Sequence, residues 1–341
     1  MSGFEDFEPY LAAIEAEMKA ILTTPQKRLS PFYGMMRYHL GWTDERLRPI
    51  EGRRGKRLRP LLCLLTCEAT GGRIEWALPV AAAIELMHNF SLVHDDIEDG
   101  DEERRGRPTV WKVWGEAQAI NVGDGLLALS HLALHRLLER GFDPAKVVAV
   151  IKALDEACVS LCQGQYLDMS FESRFKVTLE EYLEMVRLKT AALISCAART
   201  GAILATEDKV LIEGYRRFGE NLGMAFQIMD DILGIWGDPK VTGKPAASDI
   251  AHRKKTLPIL YALEQRMGQR IKRIYRQEEL GENDVRAVLH ILDELKARDY
   301  AQEMAESYHK RALAELEAMG IENEAQSKLK WLATFLIERT H

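Results

Sequence analysis

The feature that most narrows the possible folds is a pair of aspartates set at the end of an oily run, and it occurs twice. Ser91-Leu-Val-His-Asp95-Asp96-Ile-Glu98-Asp99-Gly100 closes one helix-like segment, and Gln227-Ile-Met-Asp230-Asp231-Ile-Leu-Gly234 closes another. A helix C-terminus carries about half a unit of negative charge, so Lys or Arg is expected there rather than acid. Both runs end on glycine, the residue that readily turns left-handed just past a helix end. Helices are therefore expected to stop at Gly100 and Gly234. Asp95 and Asp99 are four positions apart, about 40° around an ideal helix, and share a face. Paired carboxylates at the negative end of a dipole, on an otherwise apolar helix, need a cation.

The rest of the chain repeats the helical period and little else. Alternating strand patterns with hairpin signals are missing. Long apolar helices are expected over Trp76–Asp99, Ala145–Met169 and Lys209–Leu233, and Thr178-Leu-Glu-Glu181 is a capping box that opens another. Pro31 and Pro60 sit where proline opens a helix. The polar loop 237–255 follows the second acid pair rather than dividing two hydrophobic units. One all-α domain over 1–341, of about a dozen helices, is the expected organisation.

Composition closes off other classes. Net charge is −6, which argues against a general nucleic-acid binder. The start, Met-Ser-Gly-Phe-Glu-Asp-Phe-Glu, lacks the basic and apolar regions of a secretory signal. No uninterrupted apolar run approaches the roughly 18 residues of a membrane span, so no transmembrane segment and a cytoplasmic location are expected. Five cysteines lie in helical runs, two pairs of them four apart, without the loop-like spacing of a zinc site. They read as small buried hydrophobes.

Mg²⁺ prefers oxygen, takes one or two carboxylates, and completes its octahedron with water and phosphate oxygens. Asp95 and Asp99 on one helix and Asp230 on another suit such ions around a diphosphate. Basic clusters match that substrate. In Gly55-Lys56-Arg57-Leu58-Arg59-Pro60, Lys56 and Arg59 lie three apart at a helix start, where backbone N–H groups also favour anions. Arg104-Arg105 follows the first acid motif, Lys189 stands beside Thr190, and Lys244 and Lys254 lie in the loop after the second. No Gly-x-Ser-x-Gly elbow, His-Glu-x-x-His pair or Walker loop is present. Walls of Leu, Ile, Met, Phe and Ala between diphosphate-binding motifs suggest an isoprenoid substrate.

On these motifs the chain resembles the trans-isoprenyl diphosphate synthases, or polyprenyl synthetases, over nearly its whole length. Further carriers are Gly164-Gln-Tyr-Leu-Asp168, Lys189-Thr190, Phe226-Gln-Ile-Met-Asp-Asp231, Gly243-Lys244 and Lys254-Lys-Thr-Leu-Pro258. The resemblance implies an isoprenoid-synthase-like bundle around a central cavity, and a homodimer. It implies that isopentenyl diphosphate condenses with an allylic diphosphate (dimethylallyl, geranyl or farnesyl), with about three Mg²⁺ ions bound to the diphosphate. Asp95, Asp99 and Asp230 would ligate metal, with Asp96, Asp168 and Asp231 in support. Lys56, Arg59, His88 and Arg105 would hold isopentenyl diphosphate. Arg104, Lys189, Lys244 and Lys254 would grip the allylic diphosphate, and Thr190 and Gln227 would face the allylic cation, so Lys189, Thr190 and Gln227 carry the catalysis.

The resemblance also bears on product length. Bulk at Phe90 is expected to act as the floor of the hydrocarbon pocket, with Ser91 and Met87 beside it. A large Phe90, a small Ser91 and no insertion in the first motif are similar to geranylgeranyl diphosphate synthases, with farnesyl diphosphate synthases next. The family's second motif usually ends in a third aspartate where this chain has Gly234, which implies a weaker hold on metal unless Asp238 compensates. A terpene cyclase would lack Gly-Lys-Arg-Leu-Arg-Pro. A non-catalytic partner subunit would tend to lose the acid motifs, and the first is intact here.

Overall fold

The structure, a computed structural model, describes residues 4–50, 55–174, 176–238 and 247–337. The fold is all-α. In chain order come α1 (Glu8–Ile21), α2 (Ser30–His39), α3 (Leu58–Ala69), α4 (Ile74–Glu98), β1 (Glu103–Arg104), β2 (Arg107–Pro108), α5 (Val110–Trp114), α6 (Glu116–Glu139), α7 (Pro144–Glu172), α8 (Leu179–Val186), a π-helical turn (Arg187–Ala191), α9 (Ala192–Ala205) and α10 (Lys209–Trp236). Further helices span Ser248–Ala251, Leu257–Glu264, Gly268–Ile274, Glu282–Glu294, Ala297–Ala318 and Glu324–Ile337. The one sheet among the described residues is the antiparallel pair of β1 and β2, which the strand-free reading missed.

The chain forms two compact units, each assembled from three stretches: 1–155, 196–213 and 322–328 in the first, and 156–195, 214–321 and 329–341 in the second. The first unit is organised around α4, which packs on α6, α3 and α1. Apolar residues ring α4, with Ala77, Val80, Ile84, Leu86, Met87 and Val93 all buried. A helix hydrophobic on every side belongs in a core. The second unit has two apolar clusters. One gathers Met224, Ala225, Ile228, Met229 and Ile232 of α10 with Tyr182, Met185 and Val186 of α8. The other joins Ile235 and Ile250 to Ile259, Ile271, Val288 and Ile291.

Three expectations change here. Gly100 has φ +67 and ends α4 as expected, but α10 runs on through Gly234 to Trp236. Two helices, Ile74–Glu98 and Leu179–Ala205, are long and apolar enough to cross a membrane, contrary to the sequence reading. In each, 72% of the apolar window is buried inside the structure, the pattern of a core helix. Third, Cys63, Cys67 and Cys196 are buried as expected, whereas Cys158 is half-buried and Cys162 exposed. The capping box forms as read: the Thr178 hydroxyl accepts from the Glu181 N–H, and the Glu181 carboxylate accepts from the Thr178 N–H.

Candidate active site

In the first unit, α4 delivers the acid motif at its C-terminal end. Asp96 is buried, Asp95 half-buried and Asp99 exposed. The cation that the dipole demands is Arg104. Its Nε donates to Asp96 Oδ1 at 2.5 Å, and its Nη2 reaches Asp95 Oδ2 at 3.4 Å. A hairpin brings it there. Arg104 pairs with Arg107, and the two turn residues Arg105 and Gly106 have φ +57 and +75. Positive φ at both central positions is the type I′ turn that suits a two-residue hairpin. Arg107 moors the hairpin: its guanidinium lies 4.1 Å from the Tyr38 ring and donates to Thr43 O at 2.7 Å. For Arg105 the left-handed conformation costs about 1–2 kcal/mol, strain of the kind that collects at functional sites.

The basic residues converge on the same unit. Lys56 is exposed and Arg59 half-buried at the start of α3. Arg59 Nη1 lies 3.3 Å from His88 Nε2. A guanidinium can only donate, so the imidazole accepts and is neutral. Burial, followed by Arg59, Arg105 and Arg104, holds the His88 pKa well below its ordinary value. Burial also pushes Arg59 down to about 10, against the pull of Glu85. The Arg105 guanidinium lies so close to Gly55 that a Cβ there would meet Nη2 at 2.9 Å. Lys56, Arg59, His88, Arg104 and Arg105 thus belong to the unit that carries Asp95, Asp96 and Asp99.

The second unit holds the other half of the expected set. The π-helical turn Arg187–Ala191 places Lys189 and Thr190, and such turns recur at functional sites. Two helices approach it too closely for any side chain. A Cβ on Gly164 of α7 would meet Lys189 N at 2.2 Å, and one on Gly223 of α10 would meet Ala191 Cα at 2.5 Å. One helical turn beyond Gly164, Asp168 accepts from Lys189 Nζ at 2.5 Å. The Thr190 hydroxyl donates to Gln227 Oε1 at 2.7 Å, and Gln227 Nε2 donates to Asp231 Oδ1 at 3.2 Å.

Within the second acid motif the two aspartates differ. Asp230 is exposed; Asp231 is buried. The Tyr182 hydroxyl donates to Asp231 Oδ2 at 2.5 Å, and the Leu257 N–H donates to the same oxygen at 2.9 Å. Burial pushes the Asp231 carboxyl up to about 7, opposed by those donors and reinforced by Asp249. Asp249 also explains Gly234. A Cβ at residue 234 would lie 2.0 Å from Asp249 Oδ2 and 2.6 Å from its Cγ. Gly234 is therefore not a helix stop but a surface on which a second carboxylate rests. Asp249 fills the place beside it.

Among the described residues, no group of three or more His, Cys, Asp or Glu side chains is arranged to hold a metal ion. A closed zinc-like cage is not what Mg²⁺ uses: it takes one or two carboxylates and draws the rest from water and phosphate. The donor set here is carboxylate oxygen only, the correct chemistry for a hard cation. Asp96 Oδ2 is buried without a hydrogen-bond partner, an open lone pair beside Asp95. The residues fit the ion.

Phe90 and Met87 are buried on α4, Ser91 is half-buried, and the Phe90 ring meets His94 edge-on at 5.6 Å. Lys254 is exposed, and Lys244, with Gly243, lies outside the described residues. Sequence reasoning missed Arg57, Glu85 and Asn89 beneath the basic loop, and Tyr182 and Asp249 around the second motif. Glu85 was the most discoverable of these: a lone acid in the apolar stretch Val80–Met87 signals a buried partner.

Known proteins are similar to the chain in sequence and fold. The family model described as polyprenyl synthetase matches residues 41–292. A (2E,6E)-farnesyl diphosphate synthase of Mycobacterium tuberculosis is 40% identical over 309 residues, 89% of this chain and 84% of that protein. A geranylgeranyl diphosphate synthase of the same organism is 46% identical over 236 residues, 69% of this chain and 66% of that protein. The crystal structure of a polyprenyl synthetase from Streptomyces coelicolor superposes with a TM-score of 0.87 at 38% identity, covering 95% of this chain and 96% of that one.

Proposed function

The chain belongs to the polyprenyl synthetase family, and from that premise we propose that it condenses isopentenyl diphosphate with an allylic diphosphate to make geranylgeranyl diphosphate. It is a short-chain prenyltransferase. The observation that carries the reading is the Glu103–Pro108 hairpin, whose Arg104 is bonded to the first acid motif while Arg105 lies against the basic loop at Gly55. Acid suited to metal and cations suited to phosphate are thereby joined by two consecutive residues.

In this reading Lys56, Arg59, His88 and Arg105 hold the diphosphate of isopentenyl diphosphate through charge-assisted hydrogen bonds. Arg104, Lys189, Lys244 and Lys254 hold the allylic diphosphate. Asp95, Asp99 and Asp230 would hold Mg²⁺, with Asp96, Asp168 and Asp231 supporting; when bound, the ions stabilise negative charge on the departing diphosphate. The cations fixed around that group act in the same sense and need no reorganisation. Thr190 and Gln227 present oxygens toward the developing allylic cation, and the apolar walls keep water from it. The released diphosphate is the base for the last proton. The protein acts as one polyprenyl synthetase domain, in the cytoplasm and as a homodimer.

Phe90 sets the product length. Phe90→Ala is expected to lengthen the products, and an unchanged spectrum by mass analysis removes that role. A farnesyl product is the second reading, favoured by the 40% identity to a farnesyl diphosphate synthase across 89% of the chain. Incubating the purified chain alone with isopentenyl diphosphate, each allylic starter in turn and Mg²⁺ decides between them by the mass of the product. Absence of any product leaves only a regulatory subunit.

A further inference from the structure

A buried ion pair lies directly beneath the loop that presents Lys56 and Arg59. Arg57, between them, has φ +51 and stands as the N-cap of α3. Its side chain turns inward: Arg57 is 7% exposed, and Nη1 donates to Glu85 Oε1 at 2.5 Å. Glu85 is 3% exposed, and the same oxygen accepts from Asn89 Nδ2 at 2.9 Å. Asn89 is fully buried and also donates to Glu85 O at 2.7 Å. Glu85, His88 and Asn89 are spaced i, i+3, i+4 and share one face of α4.

Burying such a pair is a weak way to gain stability, because desolvation offsets most of the attraction. Apolar residues of similar volume would serve packing as well. What they could not do is balance charge. Glu85 attracts three guanidiniums: it faces Arg57 directly and also stabilises the charged forms of Arg59 and Arg105. Arg57 and Arg104 in turn repel Arg105. Without an anion from the protein, guanidiniums gathered for a diphosphate would splay before the substrate arrived. Arg57 also holds an αL backbone that is costly for a side-chain-bearing residue, so its geometry is enforced rather than intrinsic.

We infer that Glu85, with Arg57 and Asn89, is a positioning clamp that sets Lys56, Arg59 and Arg105 for the diphosphate of isopentenyl diphosphate. The inference rests on the assignment of that diphosphate to these residues under the proposed function. None of the clamp residues touches substrate. Glu85 acts through Arg57 and the loop, and Asn89 fixes the Glu85 carboxylate.

Glu85→Gln tests it, because charge and positioning pull in opposite directions. Removing a carboxylate near an anion site should, on charge alone, tighten anion binding. Loss of positioning should weaken it. The clamp predicts a KM for isopentenyl diphosphate raised about ten-fold or more, with the KM for the allylic substrate within about two-fold of wild type. Where Glu85→Gln fails to fold, the paired change Arg57→Met with Glu85→Leu removes both charges and should show the same split. Calorimetry with isopentenyl diphosphate on the metal-free protein reads the clamp apart from turnover. A wild type without prenyl product overturns the proposed function. A variant that binds isopentenyl diphosphate as tightly as wild type, or one whose two KM values rise together, overturns the clamp.

Discussion

The two acid motifs share the dipeptide Asp-Asp and differ in how the protein neutralises it. At the first, α4 ends two residues beyond Asp96, and a guanidinium supplied by the hairpin answers the charge. At the second, α10 continues past Asp231, and among the described residues neutral donors answer it: a phenol, a backbone N–H and an amide. Burial raises both carboxyls, Asp96 to about 6 where Arg104 opposes it, and Asp231 to about 7 where Tyr182, the Leu257 N–H and Gln227 oppose it. A guanidinium meets the first motif, and neutral donors among the described residues meet the second.

The largest effect should come from the less buried aspartate of each Asp-Asp pair. Asp95→Asn and Asp230→Asn are each expected to lower kcat by about 10²–10³-fold at fixed Mg²⁺. Comparable losses mean that both motifs work on the diphosphate. A loss at one alone, in steady-state assays, breaks the comparison.

The glycines that close the two motifs give the next contrast. Gly100 sits at φ +67 with open space around it, so Gly100→Ala should cost only about 1 kcal/mol of backbone strain. At Gly234 an added methyl collides with the Asp249 carboxylate, and Gly234→Ala should cost about 1–3 kcal/mol, as overpacking does. Denaturant melts of the two variants rank them. Equal costs would mean that Asp249 yields freely.

The smallest effect is a pH dependence. Asp231 has a raised pKa in the folded state, so its stabilising contribution is full below the ordinary value of 3.8 and is lost as pH climbs through about 7. Asp96 loses its share by about pH 6. His39 and His88, both depressed mainly by burial, act oppositely and destabilise the fold as pH falls below 6.5. Subtracting the Asp231→Asn melting curve from wild type, in chelator, isolates the carboxyl. Between pH 6 and 7 wild type should lose up to about 1 kcal/mol that the variant keeps. Parallel curves for Asp231→Asn and wild type would show that the second motif is not poised.

The first motif was legible because what shapes it is local. Its spacing gives the shared face, the dipole predicts a cation, and Gly100 supplies the left-handed residue. The second misled for the opposite reason. Gly234 looks like a stop, yet its role depends on Asp249, fifteen positions on and brought back by tertiary structure. The capping box at Thr178 was readable from four residues. The π-helical turn around Lys189 was not, since it rests on close approaches by Gly164 and Gly223 from two other helices. The apolar run of Ile74–Glu98 was underestimated because Glu85 and Asn89 interrupt it, and those two side chains hydrogen-bond to each other inside the fold.

Direct metal binding tests the central contrast most simply. Mn²⁺, a spectroscopic substitute for Mg²⁺, can be titrated by electron paramagnetic resonance into the protein with and without inorganic diphosphate. Diphosphate should raise Mn²⁺ uptake by wild type, and Asp95→Asn and Asp230→Asn should each reduce that increment. Mn²⁺ uptake that ignores diphosphate, or that survives both substitutions undiminished, would contradict the assignment of these carboxylates to a metal–diphosphate site.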